Sequence, residues 1–93
     1  MKRELIRTNA FVPAAKRYSK KNSRDASEIE FALTRLAAEA IDPRLKTHIL
    51  KGDLEGLWAC TAGYDVRIDF EFVEQQGQEK LLLLSVGTHD EVY

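Results

Sequence analysis

A chain of 93 residues, 44% hydrophobic and 31% charged, has the size and composition of one globular domain over residues 1–93. No apolar run approaches the roughly 18 residues of a membrane span, residues 1–9 lack the apolar stretch of a secretory signal, and the single cysteine, Cys60, excludes an internal disulfide. The cytoplasm is therefore the expected location. The net charge of −1 hides a split: residues 1–24 hold eight Lys/Arg against Glu4 alone, and the remainder holds six against fourteen acids. Such a distribution fits a basic face that meets phosphates or an acidic partner, and equally a solvated helix face.

In chain order, Leu5-Ile6-Arg7 reads as a short opening strand. Thr8 or Asn9 can cap a following helix, and Phe11, Ala15 and Tyr18 give that helix one apolar face with Lys16 and Lys20 on the far side. Pro13 is compatible with it only in the first turn. The polar stretch Lys21–Asp25 predicts a break, with Ser23 or Asp25 capping a second helix. Ile29, Leu33, Leu36, Ala37 and Ala40 share one face of this helix, Phe31 points away, and Asp42-Pro43 ends it.

Beyond Pro43 the period changes. Trp58-Ala59-Cys60-Thr61 reads as a strand entered through Gly56 and left through Gly63. From Asp65 to Glu74 the chain alternates, with Val66, Ile68, Phe70 and Phe72 on one side and Arg67, Asp69 and Glu71 on the other. Gln75–Gln78 is a hairpin turn, and Leu81–Val86 is apolar on both faces, as in an interior strand. The predicted fold class is α+β: an N-terminal strand, a two-helix hairpin, then a three-stranded antiparallel meander with the helices on one sheet face. The other face, carrying Arg67, is expected to be open.

Both histidines, His48 and His89, fall near strand ends. Histidine, with an unperturbed pKa of about 6.5, gives and takes protons at neutral pH. RNA cleavage needs help for the attacking 2′-hydroxyl, an acid for the departing 5′-oxygen and cations at the phosphoryl oxygens. His48, His89, Asp65 and Arg67 have the chemistry for these parts without a metal or other cofactor. Packing or surface roles for the two histidines are the competing reading. Cys60 with His48 and His89 lacks the close pair spacing of a zinc site, and Trp58 reads as core or cleft wall.

The segments Leu45–Gly52, Trp58–Cys60, Tyr64–Ile68 and Gly87–Tyr93 resemble the YafQ branch of the RelE/ParE toxin superfamily, with Gly87-Thr88-His89 the most specific element. The resemblance covers residues 44–93; the N-terminal half agrees in layout. It implies a RelE-like fold and a ribosome-dependent mRNA endonuclease (an mRNA interferase) neutralised by a cognate antitoxin. It also implies a catalytic role for His48, the strand acid in Asp65, a phosphate contact in Arg67, a general acid in His89 and a terminal substrate contact in Tyr93.

Lys46 and Lys51 flank His48 as phosphate contacts, and Lys16, Arg17, Lys20 and Lys21 form a basic helix suited to ribosomal RNA. The chain departs from the pattern at Thr61, where the relatives have a histidine, and at Ser85, where they have an arginine; Arg67 can replace that charge. Asp69 shares a face with Arg67 and would repel phosphate unless it pairs with a basic side chain. A non-enzymatic gyrase poison of the ParE type and a degenerate toxin serving as co-repressor are the alternatives. The antitoxin is expected to be short, with a segment that folds on binding.

Overall fold

The computed structural model describes residues 2–21, 23–50 and 56–88. Strand β1, Leu5–Arg7, opens the chain. Thr8 then ties strand to helix. Its hydroxyl accepts from the Phe11 N–H at 3.2 Å and donates to the Leu83 carbonyl at 2.7 Å. The cap therefore satisfies an orphan helix donor and anchors the turn to the sheet. Helix α1 runs Phe11–Lys21 with Pro13 in its first turn, where no intrahelical donor is required.

Helix α2, Ser23–Ala38, begins sooner after α1 than the polar stretch predicted, and it ends four residues before Asp42. Asp42 caps a 3-10 turn, Pro43–Leu45, instead of closing α2. Ile29, Ala32, Leu33, Leu36 and Ala37 are the buried positions of α2, close to the predicted stripe. Phe31 is 53% exposed, as its position on the opposite side requires.

The expected meander is present as β3 (Trp58–Ala62), β4 (Val66–Gln75) and β5 (Gln78–Thr88). Gln76 and Gly77 form the predicted two-residue turn with φ of 53° and 77°, the left-handed pair that matches the twist of a hairpin. The sheet is larger than the meander: five strands in the order β1-β5-β4-β3-β2. β1 lies parallel to β5, and the two-residue β2, His48–Ile49, pairs antiparallel with β3 at the far edge. Two residues are too few for an alternation to show, so β2 has no signature in the sequence.

A bulge opposite Asp69/Phe70 shifts the phase of β5: Asp69 faces Ser85 while Phe70 faces Leu83. The extra residue, Leu84, explains the unbroken apolar run. Leu81 and Leu83 enter the core before the bulge and Val86 after it. The core lies between the sheet and the helices, with Phe11, Tyr18, Ile29, Leu33 and Leu36 packed on Cys60, Ile68, Phe70, Leu81 and Leu83. Each fully buried side chain of this size contributes about 1.5–3 kcal/mol. Trp58 is partly buried against that core and meets Phe72 edge to face at 5.3 Å, so it is core wall. No helix among the described residues is long and apolar enough to cross a membrane.

Candidate active site

The pairing register places His48 opposite Ala59, Ala59 opposite Asp69, and Asp69 opposite Ser85. In the next row Thr61 faces Arg67 and Arg67 faces Gly87. Paired residues point to the same side of a sheet, so all of these lie on the face turned away from the helices. That face has two very different parts.

At the β2–β3 edge an open cleft of about 460 Å³ is lined by Arg44, Lys46, His48, Thr61, Gly63 and Tyr64. Asp42 positions the first of these. Its carboxylate accepts from the Arg44 backbone N–H at 2.9 Å, from Nε at 3.0 Å and from Nη2 at 2.6 Å. The side-chain and then the backbone hydrogen bonds from Arg44 hold the Asp42 carboxyl down at about 2, and the same pair raises the Arg44 guanidinium above its ordinary value. Lys46 follows with φ 49°, a left-handed residue that closes the 3-10 turn and sends the chain into β2. Among the described residues no carboxylate lies within ion-pair distance of Lys46.

The His48 ring is exposed, and its Nδ1 lies 2.9 Å from the Lys46 carbonyl oxygen. A carbonyl can only accept, so Nδ1 carries the proton and, in the neutral ring, Nε2 is left as the acceptor. On the opposite wall Gly63 has φ +66°, and a side chain there would meet Glu28 Cγ at 2.9 Å. Only glycine lets this turn pass so close to α2. Tyr64, next in the turn, is 96% exposed.

The centre of the same face is closed, contrary to expectation. Arg67 is 1% exposed, Asp69 5% and Ala59 0%. Arg67 Nε donates to Asp69 Oδ1 at 2.9 Å and Nη2 to Oδ2 at 3.3 Å, while the Ser85 hydroxyl donates to Oδ2 at 3.3 Å. The i, i+2 spacing along β4 brings guanidinium and carboxylate together, and burial of either charge demands such a partner. Asp69 thus pairs with a basic side chain. Ser85, from the neighbouring strand, serves the same carboxylate.

The other predicted residues separate. Asp65 is exposed in the turn directly before β4. Lys16, Arg17, Lys20 and Lys21 are exposed on α1, in the helical layer, and none lines the cleft. Lys51, His89 and Tyr93 lie outside the described residues. Cys60 is buried on the core side, away from His48, and burial followed by the negative charge of Asp69 pushes its thiol up to about 12. Among the described residues no group of three His, Cys, Asp or Glu side chains is placed to hold a metal ion. Arg44 and Tyr64 were missed as cleft residues. Their signals were local: Asp-Pro-Arg is a capping sequence, and Gly-Tyr-Asp puts an aromatic ring in a turn.

The chain matches no protein-family model and no curated protein sequence. Solved structures do match it. YafQ in the Escherichia coli DinJ–YafQ toxin–antitoxin complex aligns with a TM-score of 0.76 at 17% identity, covering 100% of this chain and 99% of that one. A YoeB/ParE toxin from Agrobacterium tumefaciens aligns at 0.77 and 16% identity, covering 92% and 98%. A copper-bound mutant toxin from Helicobacter pylori aligns at 0.74 with 26% identity over 100% of both chains. With its opening strand, helical pair and mixed sheet matched along nearly their whole length, the chain has the same fold as these RelE/ParE-type toxins.

Proposed function

We propose that the chain is the toxin of a type II toxin–antitoxin pair and acts as a ribosome-dependent endoribonuclease on mRNA. The observation that carries this reading is His48: an exposed imidazole in a cationic cleft, with its tautomer set by the Lys46 carbonyl so that Nε2 faces chemistry as a base. In the reaction, Nε2 takes the proton of a 2′-hydroxyl as that oxygen attacks the adjacent phosphorus. The bond from phosphorus to the 5′-oxygen breaks, and an acid returns a proton to that oxygen. His89 is the residue assigned to that step. Lys46 offsets charge on the non-bridging oxygens. Asp65 stands at the turn beside the cleft to orient a proton-transfer partner, and Tyr93 contacts substrate.

Arg67 takes a different role from the one its position first implied. Buried and paired with Asp69, it shapes the sheet beneath the cleft and leaves the phosphate to Lys46 and to Lys51. The ribosome presents the mRNA, so orientation supplies several kcal/mol that the small site need not provide. An antitoxin partner is supported by the complex that YafQ forms with DinJ. The basic side chains of α1 offer either the antitoxin or ribosomal RNA a charged surface.

The test is induction in bacteria lacking the antitoxin, with wild type beside His48→Ala and His89→Ala and with mRNA 5′ ends mapped in the same cells. Wild type should arrest growth and create new 5′ ends within coding regions. Each alanine variant should cleave about 10²–10⁴-fold more slowly. Full toxicity of both variants, with mRNA intact, sinks the nuclease reading and favours gyrase poisoning.

A further inference from the structure

Tyr64 is the one described aromatic residue that is neither buried nor stacked. Phe11 is 2% exposed. Phe72 meets both Trp58 and Phe70 edge to face, Tyr18 lies under Arg17, and exposed Phe31 lies under Arg35 at 3.6 Å. Tyr64 is 96% exposed and makes no ring or cation contact among the described residues. Its place is not arbitrary: the left-handed Gly63, pressed against Glu28, fixes the turn that presents it at the mouth of the His48 cleft.

We infer that Tyr64 is a stacking platform for one unpaired base of single-stranded RNA, whose phosphate is taken by Lys46 across the cleft. The inference rests on the nuclease reading for its choice of RNA and goes beyond it by assigning a nucleotide-binding residue. An aromatic face beside a cation is the device by which proteins hold unstacked bases. Thr61, on the cleft floor, is neutral and leaves room for sugar or phosphate. Because every base has a π-face, the platform is tolerant of sequence.

The experiment measures binding of a fluorescein-labelled single-stranded hexauridylate by anisotropy, beside a hexamer of the same backbone with abasic residues. Wild type, Tyr64→Ala, Tyr64→Leu and Tyr64→Trp are compared. Removing a stacking ring should weaken hexauridylate binding roughly tenfold in the alanine and leucine variants. Tryptophan should preserve it, and the abasic hexamer should not distinguish the four proteins. Equal affinity of wild type and Tyr64→Ala overturns the inference, as does an equal loss on the abasic hexamer or no binding by wild type. Cleavage on programmed ribosomes is read in parallel. Cleavage with a silent Tyr64→Ala sinks this inference alone, whereas stacking without cleavage sinks the nuclease reading alone.

Discussion

Two arginine–aspartate pairs, each spanning two positions in sequence, sit at opposite ends of the range of burial. Arg67 and Asp69 have side chains 1% and 7% exposed, whereas Arg44 is 63% exposed beside Asp42 at 12%. Both are bidentate. In β4 the spacing of two works because alternate residues share a face. In the 3-10 turn it works because a capping carboxylate folds back on the residue two ahead. Contact geometry alone would rate the exposed pair higher, since its closest approach is 2.6 Å against 2.9 Å. Burial reverses that ranking. Water competes for Arg44, while neither partner of the inner pair can recover its hydration if the other is removed.

Removing one member of the inner pair is the harshest test of the contrast. Asp69→Ala should cost about 3–5 kcal/mol, because Arg67 loses a buried carboxylate and Ser85 loses its acceptor. Urea unfolding at neutral pH measures it. Replacing both partners, Arg67→Met with Asp69→Leu, should recover most of that loss, since a packed apolar pair has no desolvation to offset. If Asp69→Ala unfolds at the same urea concentration as wild type, burial does not govern the inner pair and the contrast collapses.

Cys60 probes burial on the core side of the same sheet by pH. Burial and then Asp69 raise its thiol from 9.0 to about 12. A group whose folded pKa is raised stabilises fully below its unfolded pKa and loses that stabilisation as pH rises toward the folded value. The contribution should hold at pH 8 and fade between about 9 and 12. Relative to Cys60→Ala, wild type should lose roughly 2 kcal/mol of stability on going from pH 8 to 11. A constant difference between the two proteins across that range would mean that water reaches the thiol.

The contrast also separates what sequence could show from what it could not. Alternation along Val66–Phe72 placed Arg67 and Asp69 on one face correctly, because a period of two is local. It could not show that this face is closed at its centre, because closure is a property of the assembled layers. The helical stripe of α2 was legible for the same local reason. The edge strand β2, and with it the place of His48 beside Thr61 and Tyr64, was not. Its pairing with β3 joins residues eleven and nine positions apart through two residues that carry no pattern. The resemblance selected His48, but the carbonyl that sets its tautomer belongs to Lys46 in a left-handed conformation. Nothing in the composition of residues 44–48 announces that turn.

The outer pair should give the smallest effect and the most distinctive one. Asp42 has a carboxyl held down at about 2 by Arg44. A group with a depressed folded pKa contributes above its unfolded value and loses that contribution as pH falls through the folded value. The stability difference between wild type and Asp42→Asn should therefore be flat from pH 7 to about 4 and close between about 4 and 2. It should also shrink in about 1 M salt, where the screening length falls to about 3 Å. The penalty for Asp69→Ala should barely respond to the same salt, because ions do not enter the sheet. Urea midpoints for both variants at low and high salt decide the matter. Parallel salt responses would show that the two pairs share one environment, whatever their exposures.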